Sequence, residues 1–335
     1  MPKANPQRQR RRSQRRLLFD LRYRIGECCL RGFMFLLPGI PKRLLWLFTA
    51  AVARLTFVVL RKYRIRMEEN LSRVMSAETL APKERSEMVR RTWRNFARGF
   101  YETTAALCSS PGEIAAAAAI QGEEHLRHAL KRGKGVIGVS AHLGNFTLIG
   151  ARLASAGYPF NVVIKQPRDR RMARLMDDYR ARIGMQTISA RPRRETARRI
   201  LKALRKNEVV LLIADEFKSG GVPVTFLGHS ARAPRGPATL ALRTGAAVVP
   251  MFMVRDGEDR LTLHIQPELE LAATGDMEKD VSASVVLISS SLEEAILRYP
   301  DQWSWLGFRE NGKTPARKET QKKNSLNSPQ GPLSP

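Results

Sequence analysis

Cysteine, histidine and negative charge are scarce in this 335-residue chain. Its three cysteines are an adjacent pair, Cys28 and Cys29, and a solitary Cys108. None has the spacing of a zinc ligand set, and the expected compartment is a reducing one. The five histidines offer one weak metal pattern, His125 and His128 in GEEHLRHAL, which share a helix face but lack a second pair of ligands. An exposed helix without a metal is the expectation there. Acids number 31 against 58 Lys and Arg, a formal charge of +27, and such a shortage of negative charge calls for an anionic partner. Nucleic acid, a lipid headgroup surface and an acidic carrier protein all qualify.

Also missing is a clean apolar run of the ~20 residues that a bilayer span needs. The greasiest stretch, Leu44 to Leu60, carries Arg54 inside it, and Pro38, Pro41, Lys42 and Arg43 interrupt its entry. A helix embedded in the interface, or a single marginal anchor, fits it better. The AVA at 51–53 imitates a signal-peptidase site, but the apolar run before it is short and the chain beyond it is basic, so a cleaved signal is rejected. The first 24 residues hold nine Lys or Arg and one acid. They are expected to stay on the cytoplasmic side and bind anionic lipid, each cation near the surface contributing about 1 kcal/mol. A disordered arm that binds nucleic acid is the competing reading of that composition.

The remaining 43% hydrophobic content is enough for a sizeable core. From Arg61 to about Cys108 the apolar residues recur at helical spacing with a break near Pro82, which predicts two or three amphipathic helices. From Gly135 onward short apolar runs alternate with helical patterns: GVIGVSA, LGNFTLIGARLAS, FNVVIK, RRMARLMDDYRARIG, MQTISA, ETARRILKALRKNE, VVLLIAD. That alternation predicts an α/β fold with a largely parallel mixed sheet flanked by helices. VPVTFLG, AAVVPMFMV and DRLTLHIQPELEL are expected to complete the sheet, and a last helix to run from about Val281 to Arg298. Residues 1–60 then form a basic, apolar membrane-associating segment, 61–312 the folded domain, and 313–335 a polar tail too poor in apolar residues to fold.

Ligands on open α/β sheets lie at the carboxyl ends of strands, and His142 follows the run GVIGVSA directly. Gly144 permits a tight turn, after which a helix would aim free amides and its positive dipole end at the same spot. A proton-accepting imidazole and a histidine that merely caps the corner are equally compatible with that position. Lys165, Arg168, Arg170 and Arg171 follow another strand-like run. Cations at the start of a helix oppose its dipole, which favours an anion-binding role for them. Asp215 and Glu216 follow VVLLIA, where an acid could orient a histidine. Gly144, Asn145, Thr147, Glu216 and the four cations are the substrate-binding candidates, and His142 and Asp215 the catalytic ones.

RIRMEENL, GEEHLRHALKRGKGVIGVSAHLGNF, LLIADEFKSGGVPVTFLGHSARAPRGPATLALRTGAAVVP and RYPDQWSWLGFREN, in this order, resemble the lysophospholipid acyltransferase superfamily, specifically its late lipid A biosynthesis (lauroyl/myristoyl) branch. The resemblance runs from about Arg61 to Gly312. It implies a glycerolphosphate-acyltransferase-like fold on the cytoplasmic face of the bacterial inner membrane. It further implies acyl carrier protein, or sometimes coenzyme A, as donor, a lipid A precursor or other glycolipid as acceptor, and no cofactor. His142 matches the family's general base. Thr147 stands where the family usually has Glu or Asp, so either another acid substitutes, with Asp215 best placed, or the protein is slow or only binds lipid. WLGFREN also departs from the family's histidine and double basic residues at that place. Nucleic acid is not expected, because no aromatic-and-basic recognition pattern appears.

Overall fold

Apolar runs of about five residues bounded by turn formers are too short for helices and pair side by side. In the computed structural model, which describes residues 21, 23–75, 80–217, 220–256 and 260–307, they build a seven-stranded sheet. Its strands are β1 (Ala118–Gln121), β2 (Val136–Ser140), β3 (Phe160–Ile164), β4 (Met185–Ser189), β5 (Val209–Ile213), β8 (Ala247–Asp256) and β9 (Arg260–Ile265), in the order β1-β9-β8-β2-β5-β3-β4. Every neighbouring pair is parallel except β8 with β9, the largely parallel mixed sheet that the alternation predicts.

Alternate residues of the central strands feed two cores. Ile137, Val139, Val210, Val248 and Phe252 belong to one, and Val136, Val209, Leu211, Val249 and Met251 to the other. A strand buried on both sides needs this near-continuous apolar composition. Helices α2 (Arg61–Val74), α3 (Pro82–Ala106), α8 (Arg193–Arg205), α9 (Gly236–Thr244) and α10 (Met277–Arg298) contribute to the first core. Helices α4 (Pro111–Ala117), α5 (Glu123–Lys131) and α6 (Ile149–Ser155) contribute to the second. Pro82 occupies the first turn of α3, where its missing N–H costs nothing; the expected break there is the start of a helix.

Two expectations need correction. VPVTFLG does form a strand, β6 (Val222–Phe226), but it pairs with β7 (His229–Ala233) in a separate antiparallel hairpin. β6 joins neither free edge of the sheet, β1 or β4, and packs against α10 instead. DRLTLHIQPELEL stops being a strand at Ile265, ahead of Pro267. β1 comes from an alanine run, a composition that favours helix; pairing with β9 decides the outcome. Most of the basic leader, residues 1–20, and the tail at 313–335 fall outside the described residues.

Helix α1 (Lys42–Val59) lies against α3 and turns into α2 through a bend of 79°. Leu45 and Thr49 are its buried residues, Leu45 within a small cluster with Met34, Leu37, Leu175 and Tyr179; Trp93 donates to Thr56 Oγ1 at 3.3 Å, and the Trp46 and Tyr101 rings meet edge-on. Among the described residues no single helix is long and apolar enough to cross a membrane. The outward side of α1 carries Leu44, Leu47, Phe48, Val52, Leu55, Val58 and Val59, all exposed. Its apolar face therefore points away from the protein.

Candidate active site

Strands β2 and β5 run parallel with Ser140 opposite Ile213. His142 and Asp215 each stand two residues beyond that last pair, and their side chains converge. His142 Nδ1 lies 2.8 Å from Asp215 Oδ1, and the backbone N–H of His142 donates to Oδ2 of the same carboxylate at 2.8 Å. Trp303 Nε1 donates a third hydrogen bond to Oδ2, also at 2.8 Å. The Asp215 side chain is 2% exposed and that of His142 35%. A buried acid thus fixes an imidazole that remains accessible from outside. With its Nδ1 proton directed at the carboxylate, the neutral ring carries its lone pair on Nε2, which is the proton-accepting tautomer.

The segment after His142 is held on three sides. Gly144 has φ +57°, and a Cβ there would lie 2.0 Å from the carbonyl oxygen of Met253 on β8, so both the turn and the close approach require glycine. Its N–H donates to the Gln302 carbonyl, that of Asn145 to the Met253 carbonyl, and Ser304 donates to the His142 carbonyl. The amides of Gly144 and Asn145 are therefore spent on the protein rather than offered to an anion. A short 3-10 turn, Phe146–Leu148, precedes α6, so the helix dipole expected at His142 begins later and is weaker.

Thr147 is directed elsewhere than the family pattern implies. Its Oγ1 donates to Asn145 Oδ1 at 2.6 Å and lies 2.6 Å from Thr103 Oγ1 on α3. Asn145 is 4% exposed, and its Nδ2 donates to the Gly99 carbonyl and to Glu102 Oε2. Glu102 in turn pairs with Arg255, whose side chain is 9% exposed. Glu102, Thr103, Arg255 and Trp303 were not singled out from the sequence. Trp303 stood inside a quoted motif, WSW; the other three carry no local signal, because only the approach of α3 to the Phe146–Leu148 turn and to Arg255 brings them together.

The four cations follow β3, two strands from β2 on the same sheet edge. Lys165, Arg168, Arg170 and Arg171 are all exposed. Helix α7 (Arg170–Arg182) is capped by Asp169, which accepts from the N–H groups of Arg171 and Met172. Hydrogen bonds from the Met172 amide and the Arg171 side chain hold the Asp169 carboxyl below the usual range. The clash of these cations with the helix dipole is thus offset locally, and Arg171 forms an ion pair with Asp169 at 3.2 Å. Glu216 is exposed, next to the buried Asp215. Among the described residues no cluster of His, Cys, Asp and Glu could hold a metal ion.

Residues 17–309 match the family described as bacterial lipid A biosynthesis acyltransferase. A phosphatidylinositol mannoside acyltransferase of Mycolicibacterium smegmatis is 26% identical over 245 residues, 72% of this chain and 77% of that protein. The protein of the same name from Mycobacterium tuberculosis is 29% identical over 192 residues, 56% of this chain and 58% of its own. A lipid A biosynthesis lauroyltransferase of Escherichia coli is 23% identical over 285 residues, 83% and 89% of the two chains.

Proposed function

Because the chain belongs to the bacterial lipid A biosynthesis acyltransferase family and is an acyltransferase acting on glycolipid, we propose that it moves a fatty acyl group from a thioester donor directly to a hydroxyl of its acceptor. The observation that carries this reading is the His142–Asp215 pair at 2.8 Å. His142 Nε2 removes the acceptor hydroxyl's proton, and the oxygen attacks the thioester carbonyl. The new C–O ester bond forms, the C–S bond breaks, and His142 returns the proton to the departing thiolate. Asp215, aimed at Nδ1, orients the ring and favours the imidazolium that exists in between. Asp215 thus does the work for which Thr147 has no charge, and Lys165, Arg168 and Arg170 are placed to meet phosphate on donor or acceptor.

Acyl carrier protein is the proposed donor, since an acidic protein complements a chain of +27. A lipid A precursor is the acceptor suggested by the family; the two mycobacterial relatives favour a mannosylated phosphoinositide as the second candidate. The proposed place of work is the cytoplasmic face of the inner membrane, with the exposed face of α1 in the lipid. Purified protein given acyl carrier protein or coenzyme A charged with a radiolabelled acyl chain, and each acceptor, should yield labelled glycolipid from at least one pair. Lipid binding without transfer from either donor would instead support a non-catalytic relative.

A further inference from the structure

Thr103 and Thr147 meet beside the catalytic turn with hydroxyl oxygens 2.6 Å apart, and where their protons go can be worked out. Asn145 Nδ2 faces two acceptors, the Gly99 carbonyl and the Glu102 carboxylate, so its orientation is fixed and Oδ1 must face the threonines. That oxygen receives the Thr147 proton at 2.6 Å. The Thr103 proton then goes to Thr147 Oγ1, or to Asn145 Oδ1 at 3.1 Å. Both hydroxyl protons are used inside the protein. What the pair turns outward is lone pairs alone, on an exposed Thr147 and a half-buried Thr103.

We infer that Thr103 and Thr147 form a subsite that receives an O–H group of the acceptor next to the hydroxyl being acylated. This rests on the acyltransferase reading above and deepens it, because it selects a polyhydroxylated headgroup over a lipid with a single hydroxyl. An oxygen whose own proton is spent inward accepts but does not donate, as a carboxylate does. Thr147 therefore keeps the accepting side of the usual acid without its charge, and Thr103, from α3, adds a second oxygen. A site built to accept a hydroxyl rejects an analogue that lacks it more strongly than an apolar pocket can discriminate.

The test is the ratio of kcat/KM for phosphatidylinositol mannoside over diacylglycerol, whose one hydroxyl has no hydroxyl neighbour, in wild type, Thr103→Val and Thr103→Ser. Removal of one accepting oxygen should lower the ratio about tenfold in Thr103→Val, and Thr103→Ser should restore most of it. An unchanged ratio, whether both rates hold or both fall together, overturns the subsite while leaving the acyltransferase reading intact. A wild-type enzyme that transfers faster to diacylglycerol overturns it as well. Transfer from either thioester to neither of these acceptors nor to a lipid A precursor contradicts the glycolipid reading and the subsite that depends on it.

Discussion

At the scale of single residues, the unusual feature is a threonine where the family pattern places an acid. The expectation that follows from sequence alone is that Thr147→Glu restores the usual pair and raises the rate. The hydrogen bonds around Thr147 point the other way. Asn145 Oδ1, to which Thr147 donates, is itself an acceptor, and Glu102 already occupies the other end of that amide. A carboxylate at position 147 would face an acceptor where it needs a donor, with a second carboxylate close by, an arrangement that costs rather than contributes. We expect Thr147→Glu to lower acyl transfer, roughly tenfold or more, and to lower the denaturation midpoint; steady-state assays and urea unfolding check both. His142 and Asp215 were legible in the sequence because each ends an apolar run that must be a strand. The hydrogen bonds of Thr147 were not, because they depend on a helix lying 44 residues away in sequence.

At the scale of elements, parallel strands make the site possible. Two neighbours in register deliver residues at equal distances past their ends to the same point, so β2 and β5 set His142 against Asp215 with no special loop. The C-terminal segment closes it: Trp303 reaches Asp215, and Asn70 on α2 donates to the Trp305 carbonyl at 2.6 Å, joining the first and last of the motif stretches. The start of α7 separates the basic residues from one another. Arg171 is engaged by Asp169, while Arg168 precedes the cap and is exposed. Arg168→Gln should raise the KM of a phosphate-bearing substrate severalfold and make it less salt-dependent, whereas Arg171→Gln should change it little. Equal effects of the two substitutions, measured as KM at low and high salt, would count against that division. The helical and strand patterns were readable from spacing alone. β1 was not, since its alanines say helix and only β9 makes them a strand.

At the scale of the whole molecule, a net charge of +27 and an outward apolar stripe on α1 support the proposal of work at an anionic lipid surface. Removing residues 1–60 is a poor way to test this, because α1 also covers α3. Replacing Phe48 and Leu55 by Ser leaves that contact in place and takes away two side chains worth about 1.5–3 kcal/mol each when fully buried. We expect the double variant to stay folded yet float with anionic vesicles at least tenfold less, and wild-type binding to weaken in high salt without vanishing. Full-length protein freely soluble beside vesicles at low salt would contradict the membrane reading. The chemistry, however, rests on one contact between two strand ends, and the most direct measurement is the initial rate of acyl transfer by Asp215→Asn under saturating donor and acceptor. An amide keeps the shape of the side chain but can no longer favour the imidazolium, so kcat should fall by about 10²–10⁴, with unfolding still cooperative. A folded Asp215→Asn protein that transfers acyl groups at the wild-type rate would contradict the account.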